Sequence, residues 1–275
     1  MERASAVTPL RLQVLIATFG PEGMRRIEAM SLPRIAGVEY LVGWQLPEGD
    51  IPVGETIGKR ADIRVFKSRE RGLARNRNFV MARAEAPWCL LSDDDLRYTE
   101  ASLKALLEAI DANPQADIIC CAYTCRGRFM KPYPAGPVPL ERAPRGWYAN
   151  SFEIAYRRVG PAGAVRFNVN FGVCAPLFRA GEEDIFLCDA RRAGARGLIL
   201  PLVLCAHDHD STAERDGDKD WFVMTQGAVH KHLHPLTWPM RLFRHALCQK
   251  RMSKWRYFRL AMRGASVKLP KEDNG

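Results

Sequence analysis

"GLARNRNFVMARAEAPWCLLSDDDL", residues 72–96, carries the architecture of this chain in miniature. Its first half spaces apolar residues as a helix does over 73–86 and runs up to Pro87, before which helices tend to stop. The second half is a short apolar run, WCLLS (88–92), of the kind a buried strand makes. That strand delivers three consecutive carboxylates, Asp93, Asp94 and Asp95, at its carboxyl edge. Helix followed by buried strand is the repeating unit of a parallel α/β sheet. In such sheets ligands bind in the crevice beyond the carboxyl ends of the strands, so the acids fall where a site belongs.

The same alternation extends in both directions. LQVLIATF (12–19) reads as a first strand, EGMRRIEAM as a helix, GVEYLVGW (37–44) as a second strand and ADIRVFK (61–67) as a third. Beyond the triplet, TEASLKALLEAIDANP is a helix closed by Asn113-Pro114, and ADIICCAYT (116–124) returns to the sheet. Residues 126–150, rich in Pro, Gly and Arg, predict a long loop of the sort that is usually functional. SFEIAYRR and VRFNVNFGV follow, and Phe167 and Phe171 are assigned to the core. GEEDIFLCDARRAG then predicts a helix opening with three acids, a favourable place for negative charge. LILPLVLCAHDHDST (198–212) is a final strand. The division expected is a catalytic domain over 1–212 and a helical, basic extension over 213–275.

The chain has 275 residues, 47% of them hydrophobic and 26% charged, enough for a sizeable core. No internal repeat, signal peptide or membrane span is expected, which points to a cytoplasmic protein. The eight cysteines are scattered without paired Cys-x-x-Cys units and read as reduced, mostly buried thiols. A net charge of +10 favours an anionic partner. Three neighbouring aspartates impose a constraint of their own. Two unit charges about 4 Å apart repel by roughly 4 kcal/mol at an effective dielectric of about 20, so the triplet must splay apart or share cations. Hard oxygen ligands suit Mg²⁺ or Mn²⁺, whereas a solvated turn is the plainer reading of the triplet in isolation.

The ordered set formed by residues 72–96, GEEDIFL and HDHDST resembles the inverting nucleotide-sugar glycosyltransferases of the broad family-2 type, over roughly residues 12–212. That resemblance implies a GT-A fold, Rossmann-like, with a mostly parallel central sheet flanked by helices. It implies a nucleotide-sugar donor and a saccharide or lipid-linked acceptor. A divalent ion, Mn²⁺ or Mg²⁺, would be held by Asp94 or Asp95 with His207, preferred over His209, and Asp93 and Asp94 would face the donor. Asp184, or its neighbour Glu183, would be the base that deprotonates the acceptor hydroxyl. Arg75, Arg77 and Asn78 would hold donor phosphate or ribose, Thr18 would contact the nucleotide, and Gly172 would border the site. Where the family follows its second strand with Asp-Asp-Gly-Ser, this chain has VGWQLPEGD. Base recognition then passes to Gln45.

From Trp221 to Lys271 there is no Asp or Glu. In CQKRMSKWRYFRLAM, residues Cys248, Met252, Trp255, Phe258 and Met262 recur at spacings of three and four, predicting one helix with an apolar stripe among cations. The stripe is expected either to pack on the catalytic domain or to meet an anionic membrane surface as a peripheral contact. No nucleic-acid-reading module accompanies the charge, which argues against that partner. A sugar-1-phosphate nucleotidyltransferase, which shares the architecture, would need a Gly-rich loop that ATFGPEG supplies poorly. A fold-retaining scaffold without turnover is the non-enzymatic alternative.

Overall fold

The computed structural model of the chain describes residues 8–207, 219–250 and 252–270. Its centre is a nine-stranded mixed sheet in the order β3-β2-β1-β4-β8-β6-β9-β5, with β7 paired on β9. The strands are β1 (Leu12–Phe19), β2 (Val38–Gln45), β3 (Ile63–Ser68), β4 (Trp88–Asp93), β5 (Leu96–Tyr98), β6 (Ile118–Cys125), β7 (Val138–Pro139), β8 (Ile154–Arg157) and β9 (Gly197–His207). Strands β3, β2, β1 and β4 run parallel, whereas β8 lies antiparallel between β4 and β6.

The helices are α1 (Gly20–Ala29), α2 (Glu55–Gly58), α3 (Leu73–Met81), α4 (Glu100–Ala112), α5 (Glu182–Arg192), α6 (Lys219–Leu233), α7 (Trp238–Cys248) and α8 (Lys254–Ser266). They cover both faces of the sheet, which is why β1 is a mostly apolar run interrupted only by Gln13 and Thr18. Successive side chains of a strand point to opposite faces. Val14 and Ile16 of β1 therefore pack with Met24 and Ile27 of α1, while Leu15 joins Val80 and Met81 of α3 on the other side.

Strand order reverses between β1 and β4: from β1 the chain winds outward through β2 and β3, then returns to place β4 on the other flank. A crevice opens at such a switch point beyond the strand ends. Ala17 pairs with Asp93 there, so Thr18 and the aspartates occupy the same edge.

Two expectations differ from the structure for local reasons, and one short strand was not foreseen. The α3 helix stops at Met81 rather than Ala86, because the Oε1 of buried Gln13 accepts the amides of Glu85 and Ala86 at 2.7 and 2.9 Å and turns the chain into β4. The triplet does not lead straight into a helix. It forms the turn into β5, whose Leu96 pairs with His207 at the end of β9. The single helix expected over 248–262 is two helices, α7 and α8, with Gln249 and Ser253 extended between them. Its stripe is divided accordingly: Trp255 is 72% exposed, while Tyr257, Ala261 and Ala265 form the buried face with Val223 and Leu242. This arrangement brings α8 onto α6 at backbone contact. A Cβ on Gly227 would lie 1.9 Å from the carbonyl oxygen of Ala261, and one on Gly264 would lie 1.8 Å from that of Met224.

All eight cysteines are free thiols and six are buried. No helix among the described residues is long and apolar enough to cross a membrane.

Candidate active site

The three aspartates each turn to a different partner. Asp93 accepts a hydrogen bond from Nη2 of Arg77 on α3 at 3.1 Å. Asp94 accepts two from Arg26 on α1, at 2.9 Å from Nε and 2.7 Å from Nη2, and a third from the hydroxyl of Thr18. Oδ2 of Asp95 lies 3.2 Å from Nε2 of His207. The β5–β9 register is what brings that imidazole to the turn, and Phe152 stacks parallel to it at 6.1 Å. The approach of α1 requires a glycine: a Cβ on Gly23 would stand 1.8 Å from the Thr18 hydroxyl.

Arg77 is the centre of the site. Its guanidinium, 2% exposed, also donates from Nη1 to Glu182 and Glu183 at 3.2 Å each and from Nη2 to Ser151 at 2.6 Å, with the ring of Phe167 beneath it. Burial disfavours its charge, but the attraction of Asp93, Glu183 and Glu182 outweighs burial and holds its pKa above the ordinary arginine value. Burial raises the Asp93 carboxyl, with Arg77 opposing, and burial together with Glu183 raises that of Glu182.

One side chain thus joins the strand tip to the N-terminus of α5. The local backbone is shaped for the junction. Gly181, the residue before α5, has φ of 92°, a conformation that favours glycine. A Cβ there would meet Val229 of α6 at 2.5 Å, and one on Gly172 would meet the Glu182 carboxyl group at 2.9 Å.

Asp184 stands outside this cluster and has no hydrogen bond or ion pair with another described residue. It is exposed to solvent yet desolvated by the protein around it. Desolvation first, then the charge of Glu183, raises its carboxyl to about 6, with Lys131 pulling the other way. A group with that pKa is ionised at neutral pH and able to accept a proton. Lys131 itself is buried in an ion pair with Glu153, ringed by Tyr123, Tyr133, Trp147 and Tyr148.

The remaining residues expected at the site have other partners. Asn78 clamps the backbone of Phe167 through both amide atoms, at 2.8 Å each. Gln45 is buried and donates to the carbonyl of Gly72, tying the end of β2 to the start of α3. Arg75 is exposed, with its Nη1 3.7 Å from Glu70. Phe167 and Phe171 are fully buried. His209 lies outside the described residues.

Sequence reasoning missed Arg26, Ser151 and Asn76. Asn76 donates to the carbonyls of Thr18 and Gly43, bridging the ends of β1 and β2. A glycine in the middle of β2 was the available signal for it, since a Cβ on Gly43 would fall 2.3 Å from the Asn76 oxygen. Nothing in EGMRRIEAM distinguishes Arg26 from Arg25.

Among the described residues no group of three His, Cys, Asp or Glu side chains is placed to hold a metal ion by itself. The pair Asp95 and His207 does fit: a carboxylate and an imidazole with donor atoms 3.2 Å apart could share a divalent ion whose other positions are filled by water and phosphate oxygens. Asp94 is committed to Arg26 and Thr18 instead.

The family model described as Glycosyl transferase family 2 matches residues 55–182, a segment that includes Arg77, the aspartate triplet and Glu182. That segment is therefore similar to family-2 glycosyl transferases, and the sheet topology around it is of the GT-A kind. Among solved structures it is similar to TarS of S. aureus. The crystal structure of TarS is 16% identical with a TM-score of 0.59, over 80% of this chain and 39% of that one. TarS 1–349 in complex with UDP, and the same fragment with UDP-GlcNAc, are each 14% identical with a TM-score of 0.59, over 92% of this chain and 70% of those. The chain therefore spans about two-fifths of the longest of these neighbours, 39%. No curated protein matches it by sequence.

Proposed function

We propose that this chain transfers a sugar from a nucleoside diphosphate donor to an acceptor hydroxyl with inversion at the anomeric carbon. The observation that carries the reading is the joint made by Arg77: it holds Asp93, on the donor side of the crevice, and Glu183, next to Asp184, an acid without a partner among the described residues, on the two ends of one guanidinium. Asp184 is the base. It takes the proton from the acceptor hydroxyl as that oxygen attacks the anomeric carbon from about 3 Å. The bond from that carbon to the β-phosphate oxygen breaks, and the nucleoside diphosphate leaves with the electron pair. Attack from the face opposite the leaving group inverts the centre.

Asp95 and His207 would hold Mn²⁺ or Mg²⁺, which when bound supplies charge stabilisation for the departing diphosphate. Arg77 fixes the spacing between donor edge and base, and Thr18 borders the nucleotide at the end of β1. The acceptor is a saccharide or a lipid-linked saccharide. The UDP and UDP-GlcNAc complexes of the TarS neighbours make a uridine diphosphate sugar the first donor to try.

The test is release of nucleoside diphosphate from a panel of nucleotide sugars, with and without Mn²⁺, alongside thermal stabilisation by the free diphosphates. Asp184→Asn is expected to keep donor binding and lose transfer, and Asp95→Asn to raise the Mn²⁺ concentration required. Full activity in both variants would overturn the assignment.

A further inference from the structure

The positive excess of this protein is concentrated at one end. Residues 221–271 contain eleven Lys and Arg and no acid, so the rest of the chain, with 30 basic and 31 acidic residues, is close to neutral. On α7 the buried positions are Leu242 and Ala246, yet a second apolar row faces outward. Met240, Phe243 and Leu247 are 68%, 48% and 51% exposed, and Leu236, one turn earlier, is 93% exposed. The row continues across the break into α8. Phe243 packs edge-on against Phe258 at 6.0 Å, and exposed Trp255 lies one turn before Phe258. Beside Trp255, Arg256, Arg259 and Arg263 line an open groove of about 530 Å³; Arg256 also reaches Asp220 at 2.8 Å. Exposed Arg241, Arg244 and Lys254 stand on the flanks.

We infer that the outer face of α7 and the start of α8 is a docking surface for an anionic lipid bilayer, on which the helices lie in the plane of the interface. Basic amphipathic helices bind there by sinking apolar side chains to the headgroup boundary while lysines and arginines meet lipid phosphates. Trp255 suits that depth, having an apolar ring with one polar atom.

Other occupants fit less well. A second copy docking through the same face would set its exposed arginines and lysines against their own counterparts, with Asp220 already paired to Arg256. A soluble polyanion would use the cations and leave the ridge of Met240, Phe243, Leu247 and Trp255 in water. An anionic leaflet uses both. The helices that carry this face pack on α6, which in turn sets Val229 against Gly181 at the head of α5.

The test needs no turnover, so it stands or fails apart from the glycosyltransferase reading. The full chain is sedimented with phosphatidylcholine vesicles with and without phosphatidylglycerol, at low and high salt, beside Met240→Glu/Trp255→Glu, whose exposed positions leave the fold intact as checked by melting temperature. The expected result is binding to the phosphatidylglycerol vesicles only, weakened by salt and reduced about tenfold or more in the double variant. Three outcomes would overturn the inference: no binding by the parent, equal binding by the double variant, or a parent dimer that the double variant abolishes.

Discussion

Arg77 and Asp93 meet at 3.1 Å between Nη2 and Oδ1, and the other end of the same guanidinium holds Glu182 and Glu183. The pairing links the carboxyl edge of β4 to the helix that presents Asp184. Replacing Arg77 by Met would leave three carboxylates around an apolar side chain with no cation among them. Removing one partner of a buried charge cluster costs about 3–5 kcal/mol. Lysine offers a point charge instead of a fork and cannot serve both ends. Arg77→Met is therefore expected to lower the urea midpoint sharply and Arg77→Lys less so, with transfer lost in both. Urea unfolding followed by circular dichroism, paired with a donor-turnover assay, checks this.

The Asp184 carboxyl, raised to about 6 chiefly by desolvation and then by Glu183, fixes a pH dependence. A base must be deprotonated to work, so transfer is expected to hold above pH 6 and to fall as pH drops through about 6, with kcat/KM losing tenfold per pH unit below it. Asp184→Asn should flatten that limb at a residual rate. A profile of kcat/KM from acid to neutral pH gives the answer, and an acid limb near the usual aspartate value would argue for a different base.

Much of this was legible because the pattern is repetitive. Strands buried on both faces are mostly apolar, and an apolar run ending in charge marks a carboxyl edge, so β1, β2, β4 and β6 and the position of the triplet could be read from 12–19, 37–44, 88–95 and 116–124. The destinations of the carboxylates could not. Arg26 reaches Asp94 from 68 residues away and Arg77 reaches Glu182 from 105, pairings set by how α1 and α5 pack and not by local spacing. The C-terminal stripe misled for a related reason. Periodicity finds an amphipathic face without saying where the chain turns, and the close approach of α8 to α6 at Gly227 and Gly264 selected Tyr257, Ala261 and Ala265 as the buried face.

Lys131 and Glu153 form an ion pair whose side chains are 1% and 0% exposed, with Glu153 also accepting from the Tyr133 hydroxyl at 2.5 Å and the Asn150 amide at 2.7 Å. Lys131→Met would strand a buried carboxylate, at a cost of about 3–5 kcal/mol, whereas the double variant Lys131→Met/Glu153→Gln removes the charge along with its partner and should recover a large part of that loss. A double-mutant cycle by chemical denaturation measures the coupling. Equal destabilisation in the single and double variants would show that a stranded Glu153 charge is not the source of the loss.

The contact between α6 and α8 is backbone against backbone, so it offers no side chain that could yield. A Cβ at Gly264 would lie 1.8 Å from the Met224 carbonyl oxygen, a separation that real atoms do not adopt. Overpacking a tight site costs about 1–3 kcal/mol when neighbours can shift, and here the helix itself has to move. Gly264→Leu is expected to free α8 from α6 while the sheet, which buries its own core, stays folded. Hydrogen exchange should then show lost protection in α8 and retained protection in β1 and β4. Because α6 packs Val229 against Gly181 at the head of α5, the loosened helix should also slow transfer by disturbing Glu183 and Asp184, with donor binding at the β1–β4 edge changed far less. Unchanged exchange in α8 would mean that the helices can pass at a greater distance than the one found here.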